Sequence, residues 1–172
     1  MIHIDADTQV MLAERRHRPQ VVLAALEQNL IPQSQIRLFI MNWWEDTEFP
    51  NQQDKVWRKI FKYFPQRKYQ QTTTVYRGGL FPDGFSWTTD EQTAQWFAWR
   101  NHGFDKWNLG ISIPSPIIWR AQVNPNAVIH STNGRGEKEV IIKYWDKNVW
   151  IQTPDQIAFQ VPDKLKTKDP AE

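Results

Sequence analysis

Two glutamates separated by one residue precede an apolar run in the second half of the chain. They are Glu137 and Glu139, within the stretch Gly136–Ile142. A strand turns alternate side chains to the same face, so the two carboxylates would project together, roughly 7 Å apart. Paired carboxylates can stabilise developing positive charge or relay a proton. They can equally form the solvated end of a hairpin.

An arginine upstream could share a site with these acids. Arg77 ends the β-branched and aromatic run Thr72–Arg77, which predicts a strand, and Gly78 and Gly79 follow it. A buried guanidinium needs a partner, and its planar fork suits a phosphate as well as a carboxylate. The structural alternative is a salt bridge to a neighbouring acid: Glu137, Glu139 or Asp90.

Hydroxyl side chains precede a predicted helix in the same region. Thr89 and Gln92 have capping-box spacing, so a helix should begin near Asp90 with Thr89 as its cap. Ser86 and Thr88 lie one strand step apart and should face the same side. A helix N-terminus favours anions, so we expect both hydroxyls to be available to a ligand.

The elements that must position these residues form two blocks. Apolar residues at helical spacing follow Pro19 and Ser34 and precede Pro65, which predicts helices over residues 1–70, with Ser34 as an N-cap. Turn residues separate the later β-like runs, which favours an antiparallel sheet over residues 71–162 and a loose tail over 163–172. The runs are 117–123, 127–131, 138–144 and 149–153. The fold class is α+β.

A long loop is expected between the helix that should begin near Asp90 and the strand predicted at 117–123. Gly103 is the predicted helix stop, and residues 101–116 contain three helix-hostile residues. Phe104 and Trp107 lie within this loop, where they could act as a lid.

Composition excludes several classes of site. The chain has 172 residues, no cysteine and a formal net charge of +2. Without cysteine there are no disulfides, zinc-thiolate sites or thiol nucleophiles, and the histidines lack metal-ligand spacing, so we expect no metal. The small charge argues against a strongly electrostatic nucleic-acid binder. The longest apolar run is far below the ~20 residues that cross a bilayer and no secretory signal is visible, which predicts a cytoplasmic protein without membrane contact.

The order of the motifs resembles the mono-ADP-ribosyltransferases of the Arg-Ser-Glu type, a group of bacterial toxin, phage and vertebrate enzymes that transfer ADP-ribose from NAD. The likeness lies in Tyr76-Arg77-Gly78, in Ser86-Trp87-Thr88 and in Glu137-Lys138-Glu139. It implies one domain over residues 1–172, in which a helical layer packs on a split antiparallel sheet. It also implies NAD as substrate without a metal, and action in the cytoplasm, including that of a host cell.

The resemblance implies a role for each matching residue on the NAD side. Arg77, with Gly78 beside it, would contact the phosphates and ribose of NAD. Ser86 would hold the nicotinamide end of the pocket and help to fix the acid, with Thr88 supporting the strand. Trp107, or Phe104, would cover the nicotinamide.

The two acids would divide the reaction between them. Glu139 matches the glutamate that grips the nicotinamide ribose and stabilises the oxocarbenium-like transition state. Glu137 matches the position that, in family members modifying arginine, engages the acceptor guanidinium. The resemblance favours a protein acceptor over a nucleic acid and leaves its identity open. Two alternatives stay open: an NAD glycohydrolase of the same fold, and a non-enzymatic protein whose tryptophan-rich helices bind a partner.

Overall fold

The computed structural model describes residues 5–47, 53–65, 68–109, 115–133 and 136–161, with side chains on the last helix described as far as Gly103. This part of the chain contains five α-helices and a six-stranded antiparallel sheet, which confirms the α+β class. The chain divides into two compact units, Met1–Gln66 and Arg67–Glu172, close to the change predicted at Gln71. The predicted tail, 163–172, lies outside the described residues.

The first unit is helical, as predicted. Its helices are α1 (Ala6–Leu12), α2 (Arg18–Glu27), α3 (Ile36–Glu45) and α4 (Asp54–Ile60). Pro19 lies in the first turn of α2, where its missing N–H costs nothing. Helix α2 contacts each of the other three.

The core of this unit is aromatic. The rings of Trp44 and Trp57 meet edge to face with their centroids 4.9 Å apart, and Phe61 packs against both. The N-cap predicted for α3 is wrong, and α1 was not predicted as a separate helix. Gln35, not Ser34, precedes α3 and makes no side-chain cap. Helix α1 was not predicted, although its N-cap Asp5 accepts a hydrogen bond from the Thr8 backbone N–H.

The second unit contains the sheet and one helix. The strands are β1 (Thr73–Gly78), β2 (Ser86–Thr88), β3 (Ile118–Val123), β4 (Val128–Thr132), β5 (Glu139–Ile142) and β6 (Trp150–Ile157). Their order in the sheet is β4-β5-β2-β1-β3-β6, and every neighbouring pair is antiparallel. The predicted strand runs are confirmed within a few residues, except that β5 is shorter and β6 longer than expected.

The two halves of the sheet share little strand pairing at its centre. Six residue pairs connect β1 to β3, whereas the only register pair between β1 and β2 is Tyr76 with Thr88. The β4-β5-β2 half is therefore joined to the β1-β3-β6 half by little strand pairing. Arg77 and Ser86 lie on the two strands at this junction, and Glu139 lies on the next strand, β5.

Each face of the sheet buries apolar side chains. One face includes Val75, Trp87, Ala121 and Val140 in a continuous cluster. On the other face, helix α5 (Glu91–Leu109) packs against β1 and β3. The buried residues on the inner side of the helix cluster with Ile118 of β3. Alternation along each strand accounts for this division, because residues one apart point to opposite faces.

Gly78 allows α5 to approach β1 closely. A Cβ at this position would lie 2.2 Å from the backbone N of Ala98 and 2.3 Å from the carbonyl O of Ala94. Asn101 strengthens the same contact, since its Nδ2 donates to the Gly78 carbonyl at 3.1 Å. The glycine is explained by helix packing.

The loop predicted over residues 101–116 is wrong in its first nine residues. Helix α5 begins near the predicted start but continues to Leu109, through Gly103. Glycine inside a helix costs only about 1 kcal/mol relative to alanine, so the other residues of a 19-residue helix can carry it. Phe104 and Trp107 are thus helical in backbone rather than part of a loop, and their side chains lie outside the described part. Among the described residues, no helix is long and apolar enough to cross a membrane.

Candidate functional site

A buried carboxylate and a serine hydroxyl meet between two neighbouring strands. Strand β2 pairs with β5 so that Ser86 is opposite Ile141 and Thr88 is opposite Glu139. Ser86, Thr88 and Glu139 therefore share one face of the sheet. The Ser86 hydroxyl donates to Oε1 of Glu139 at 2.5 Å, and Glu139 is only 5% exposed. The contact joins residues 53 apart in sequence.

Glu139 has a buried position because of its place at the start of a short strand. All four residues of β5 are buried, and the three that follow Glu139 are aliphatic. Burying a carboxylate is costly unless hydrogen bonds replace its water. The hydroxyl of Ser86 supplies one such bond, which is short because the acceptor is a carboxylate.

Thr88 supports this arrangement through its hydroxyl. Its Oγ1 donates to the Glu137 carbonyl at 2.6 Å and accepts from the Asp90 backbone N–H at 3.0 Å. The hydroxyl thus ties the end of β2 to the residues just before β5. The expectation that Thr88 is available to a ligand is wrong, because both bonds are internal. The supporting role implied for Thr88 matches this geometry.

The first turn of α5 also differs from the prediction. Thr89 is exposed, while the carboxylate of Asp90 accepts from the hydroxyl of Thr93 at 2.6 Å. Thr88 and Asp90 therefore make side-chain hydrogen bonds at this helix entrance, on either side of the expected cap. The sequence correctly indicated a hydroxyl side chain at the start of this helix. The hydroxyl that bonds there is that of Thr88, one residue before the expected cap, Thr89.

Glu137 does not continue the strand of Glu139. Lys138 adopts a left-handed backbone conformation with φ of 47°, and β5 begins only at Glu139. The alternation that was to bring the two carboxylates side by side is interrupted, so this part of the prediction is wrong. Glu137 stays close to the site through its carbonyl, which accepts from Thr88.

Arg77 lies at the end of β1 and is bonded to the connection between β1 and β2. Its Nη1 donates to the Ser86 carbonyl at 2.5 Å and its Nε donates to the Phe81 carbonyl at 3.3 Å. Arg77 thus touches the main chain of the same serine whose hydroxyl holds Glu139. The sequence left open a salt bridge from Arg77 to a neighbouring acid. In the structure, hydrogen bonds to two carbonyl groups define the position of the guanidinium.

The charge of Arg77 is disfavoured by its surroundings. Burial lowers the pKa of the guanidinium to about 10, although the carboxylates of Asp83 and Glu139 and the ionised form of Tyr144 oppose the shift. Gly84 makes room for the group: a Cβ there would lie 2.6 Å from Nη2 of Arg77. The guanidinium is held over a glycine beside Asp83 and Glu139, and its planar fork has the geometry that binds an anion.

The residues assigned to NAD from the sequence are thus partly brought together. Ser86 and Glu139 meet across β2 and β5 with Thr88 beside them, and Arg77 reaches the main-chain carbonyl of Ser86 from β1. Gly78 faces helix α5, and the side chain of Trp107 lies outside the described part. For Gly78 and Trp107, contact with NAD stays a prediction.

Sequence reasoning missed one polar residue beside this cluster. His130 is 7% exposed and lies on β4, which borders β5. Its only sequence signal is its position directly after the apolar residues Val128 and Ile129, at the end of a predicted strand. The described residues contain no cluster of three or more potential metal ligands.

Comparison with known proteins adds nothing to this geometry. The chain matches no protein-family model, no curated protein and no solved structure. The assignment of function therefore depends on the chemistry of the site. That chemistry is a buried carboxylate fixed by the hydroxyl of Ser86, together with a guanidinium that donates to the main-chain carbonyl of the same serine.

Proposed function

We propose that the protein is an NAD-dependent mono-ADP-ribosyltransferase, which moves ADP-ribose from NAD to an acceptor. One observation carries the proposal: the hydrogen bond between Ser86 and Glu139, across two strands, in a buried setting. The motif resemblance assigns these same two residues to one end of the NAD site. A carboxylate fixed in this way can act on positive charge that develops in a transition state.

The reaction requires the C1′–N bond of the nicotinamide ribose to break. The bonding electrons leave with nicotinamide, and the ribose acquires oxocarbenium-like positive charge. Glu139 would stabilise that charge, and Ser86 would keep the carboxylate oriented toward it. The acceptor nucleophile then forms a new bond to C1′ and loses a proton. Nicotinamide and ADP-ribosylated acceptor are the products.

Arg77 would bind the pyrophosphate of NAD. Its guanidinium is largely withdrawn from water, which lowers its pKa to about 10. A pyrophosphate would add to the negative charge of Asp83 and Glu139 around this group, and Arg forks bind phosphate oxygens in pairs. The cost of burying the charge would then be offset when NAD binds.

A second candidate, an NAD glycohydrolase, is favoured by the position of Glu137. In the transfer reaction this residue engages an acceptor guanidinium beside Glu139, yet Lys138 turns the backbone between the two acids. Hydrolysis needs Arg77 and Glu139 but not Glu137, because water is the acceptor. The two candidates therefore share the donor half of the reaction and differ in the acceptor half.

Labelled NAD tests the transfer reaction. Cell lysate is incubated with NAD labelled in the ADP-ribose part, together with wild-type protein or the variant Glu139→Ala. Transfer predicts labelled macromolecules with the wild type and none with the variant. A lysate without label, under conditions in which the protein is folded, would contradict transfer.

The variant Glu137→Gln separates the two candidates. If Glu137 engages an acceptor arginine, this variant loses transfer while it still releases nicotinamide into water. Glu139→Gln should lose both activities, which makes it the matched control. Equal loss of transfer and hydrolysis in Glu137→Gln would remove the arginine-acceptor assignment.

A further inference from the structure

His130 lies within reach of the candidate catalytic carboxylate. Strand β4 pairs with β5 so that His130 is opposite Ile141 and Thr132 is opposite Glu139. His130 and Glu139 are therefore diagonal neighbours on one face of the sheet. Such neighbours are about 7–8 Å apart between Cα atoms, a span that aromatic side chains can bridge.

Glu139 is bordered on its two sides by different strands. On the β2 side, Ser86 donates to Oε1. On the β4 side, His130 is the buried residue with an N–H donor in its side chain, at 7% exposure. A buried carboxylate has two oxygens that lose water, and each requires a donor for the burial to be tolerated.

The geometry points to His130 as a positioning residue that holds the second carboxylate oxygen of Glu139. The carboxylate would then be fixed from both neighbouring strands, by Ser86 from β2 and by His130 from β4. This role depends on the proposed function only for its effect on NAD cleavage. The interaction of the imidazole with Glu139 is a property of the folded protein and can be measured without NAD.

Nitrogen-15 NMR of the histidine rings measures that interaction directly. The chain has four histidines, and the signals of His130 are those that vanish in His130→Gln. If His130 donates to Glu139, the variant Glu139→Gln shifts the ring nitrogens of His130, whereas Glu137→Gln leaves them in place. Unchanged His130 signals in both variants would overturn the assignment.

NAD cleavage provides the functional measurement. His130→Leu should lower kcat for nicotinamide release by about 10- to 100-fold, the range typical of groups that orient a functional side chain, with a small change in KM. His130→Gln retains an N–H donor and should recover part of the loss. His17→Leu, at an exposed histidine, is the matched control.

The outcomes distinguish this inference from the proposed function. If the wild type does not cleave NAD, the proposed function fails, and the NMR comparison still decides whether His130 holds Glu139. If the wild type cleaves NAD but His130→Leu retains full kcat while folded, the positioning role is overturned and the proposed function stands.

Discussion

At the residue scale, the contact between Ser86 and Glu139 determines what the site can do. The sequence indicated both residues, because each belongs to a recognisable motif, and their roles stay a proposal. It did not indicate that Glu137 would be separated from Glu139, since nothing in the letters Glu-Lys-Glu marks Lys138 for a left-handed backbone. Such a conformation is uncommon for lysine, so local propensity argued for a continuous strand.

Ser86→Ala should weaken both stability and activity. The substitution removes a hydrogen bond to a buried carboxylate, which contributes about 1.5–3 kcal/mol to the free energy of unfolding when a charged group is involved. Loss of orientation should also lower the rate of NAD cleavage. Ser131→Ala, at an exposed serine on β4, is the control and should leave both unchanged. Urea unfolding and nicotinamide release measure the two effects, and identical behaviour of the two variants would contradict the account.

Arg77 should make stability depend on pH in the alkaline range. Its pKa is about 10 in the folded protein and higher in the unfolded chain, so the unfolded state binds more protons between these values. Stability contributed by this group therefore rises with pH above about 10, as the buried charge is relieved, and is constant below.

The comparison with Arg77→Met isolates this effect. The free energy of unfolding of the wild type minus that of the variant should increase between about pH 8 and about pH 11, because other titrating groups cancel in the difference. Urea unfolding at the two pH values gives the difference. If this difference falls or stays level as the pH rises, burial does not disfavour the charged form of Arg77.

At the element scale, strands were easier to predict than the ends of helices. Runs of β-branched residues bounded by turns located β1, β3 and β4 within about two residues, as pattern reasoning allows. The sequence predicts too short a helix α5 because Gly103 resembles a helix C-terminus, although the residues around it favour the helix. The pairing of β2 with β5, on which the site depends, joins distant parts of the chain and has no local signal.

Alanine substitutions at Gly78 on β1 and at Gly103 on α5 should change the free energy of unfolding in opposite directions. Gly103 has no atom within 4 Å of a Cβ, so Gly103→Ala should stabilise the protein by about 1 kcal/mol through helix propensity. At Gly78 the new Cβ would meet backbone atoms of Ala94 and Ala98. Gly78→Ala should therefore destabilise by about 1–3 kcal/mol, as overpacking does. Urea unfolding of both variants checks this, and two changes of the same sign would contradict the packing of α5 on β1.

At the scale of the whole molecule, the sequence indicated the class and the division of the chain, and left the organisation of the sheet open. The change in periodicity at Gln71 coincides closely with the boundary between the two compact units. Strand order is set by which apolar faces and edges fit together, and a single sequence carries little information about that. The predicted packing of the helical layer on the sheet stays a prediction.

The central claim is that the carboxylate of Glu139 acts on the ribose of NAD. The most direct measurement is the release of free nicotinamide from NAD by purified wild-type protein and by Glu139→Gln, which has nearly the same shape but no charge. Circular dichroism establishes that both are folded. The account predicts release by the wild type and a loss of at least about 100-fold in the variant, since removal of one group that stabilises transition-state charge typically costs that much. Equal release by both proteins, or none by the folded wild type, would contradict it.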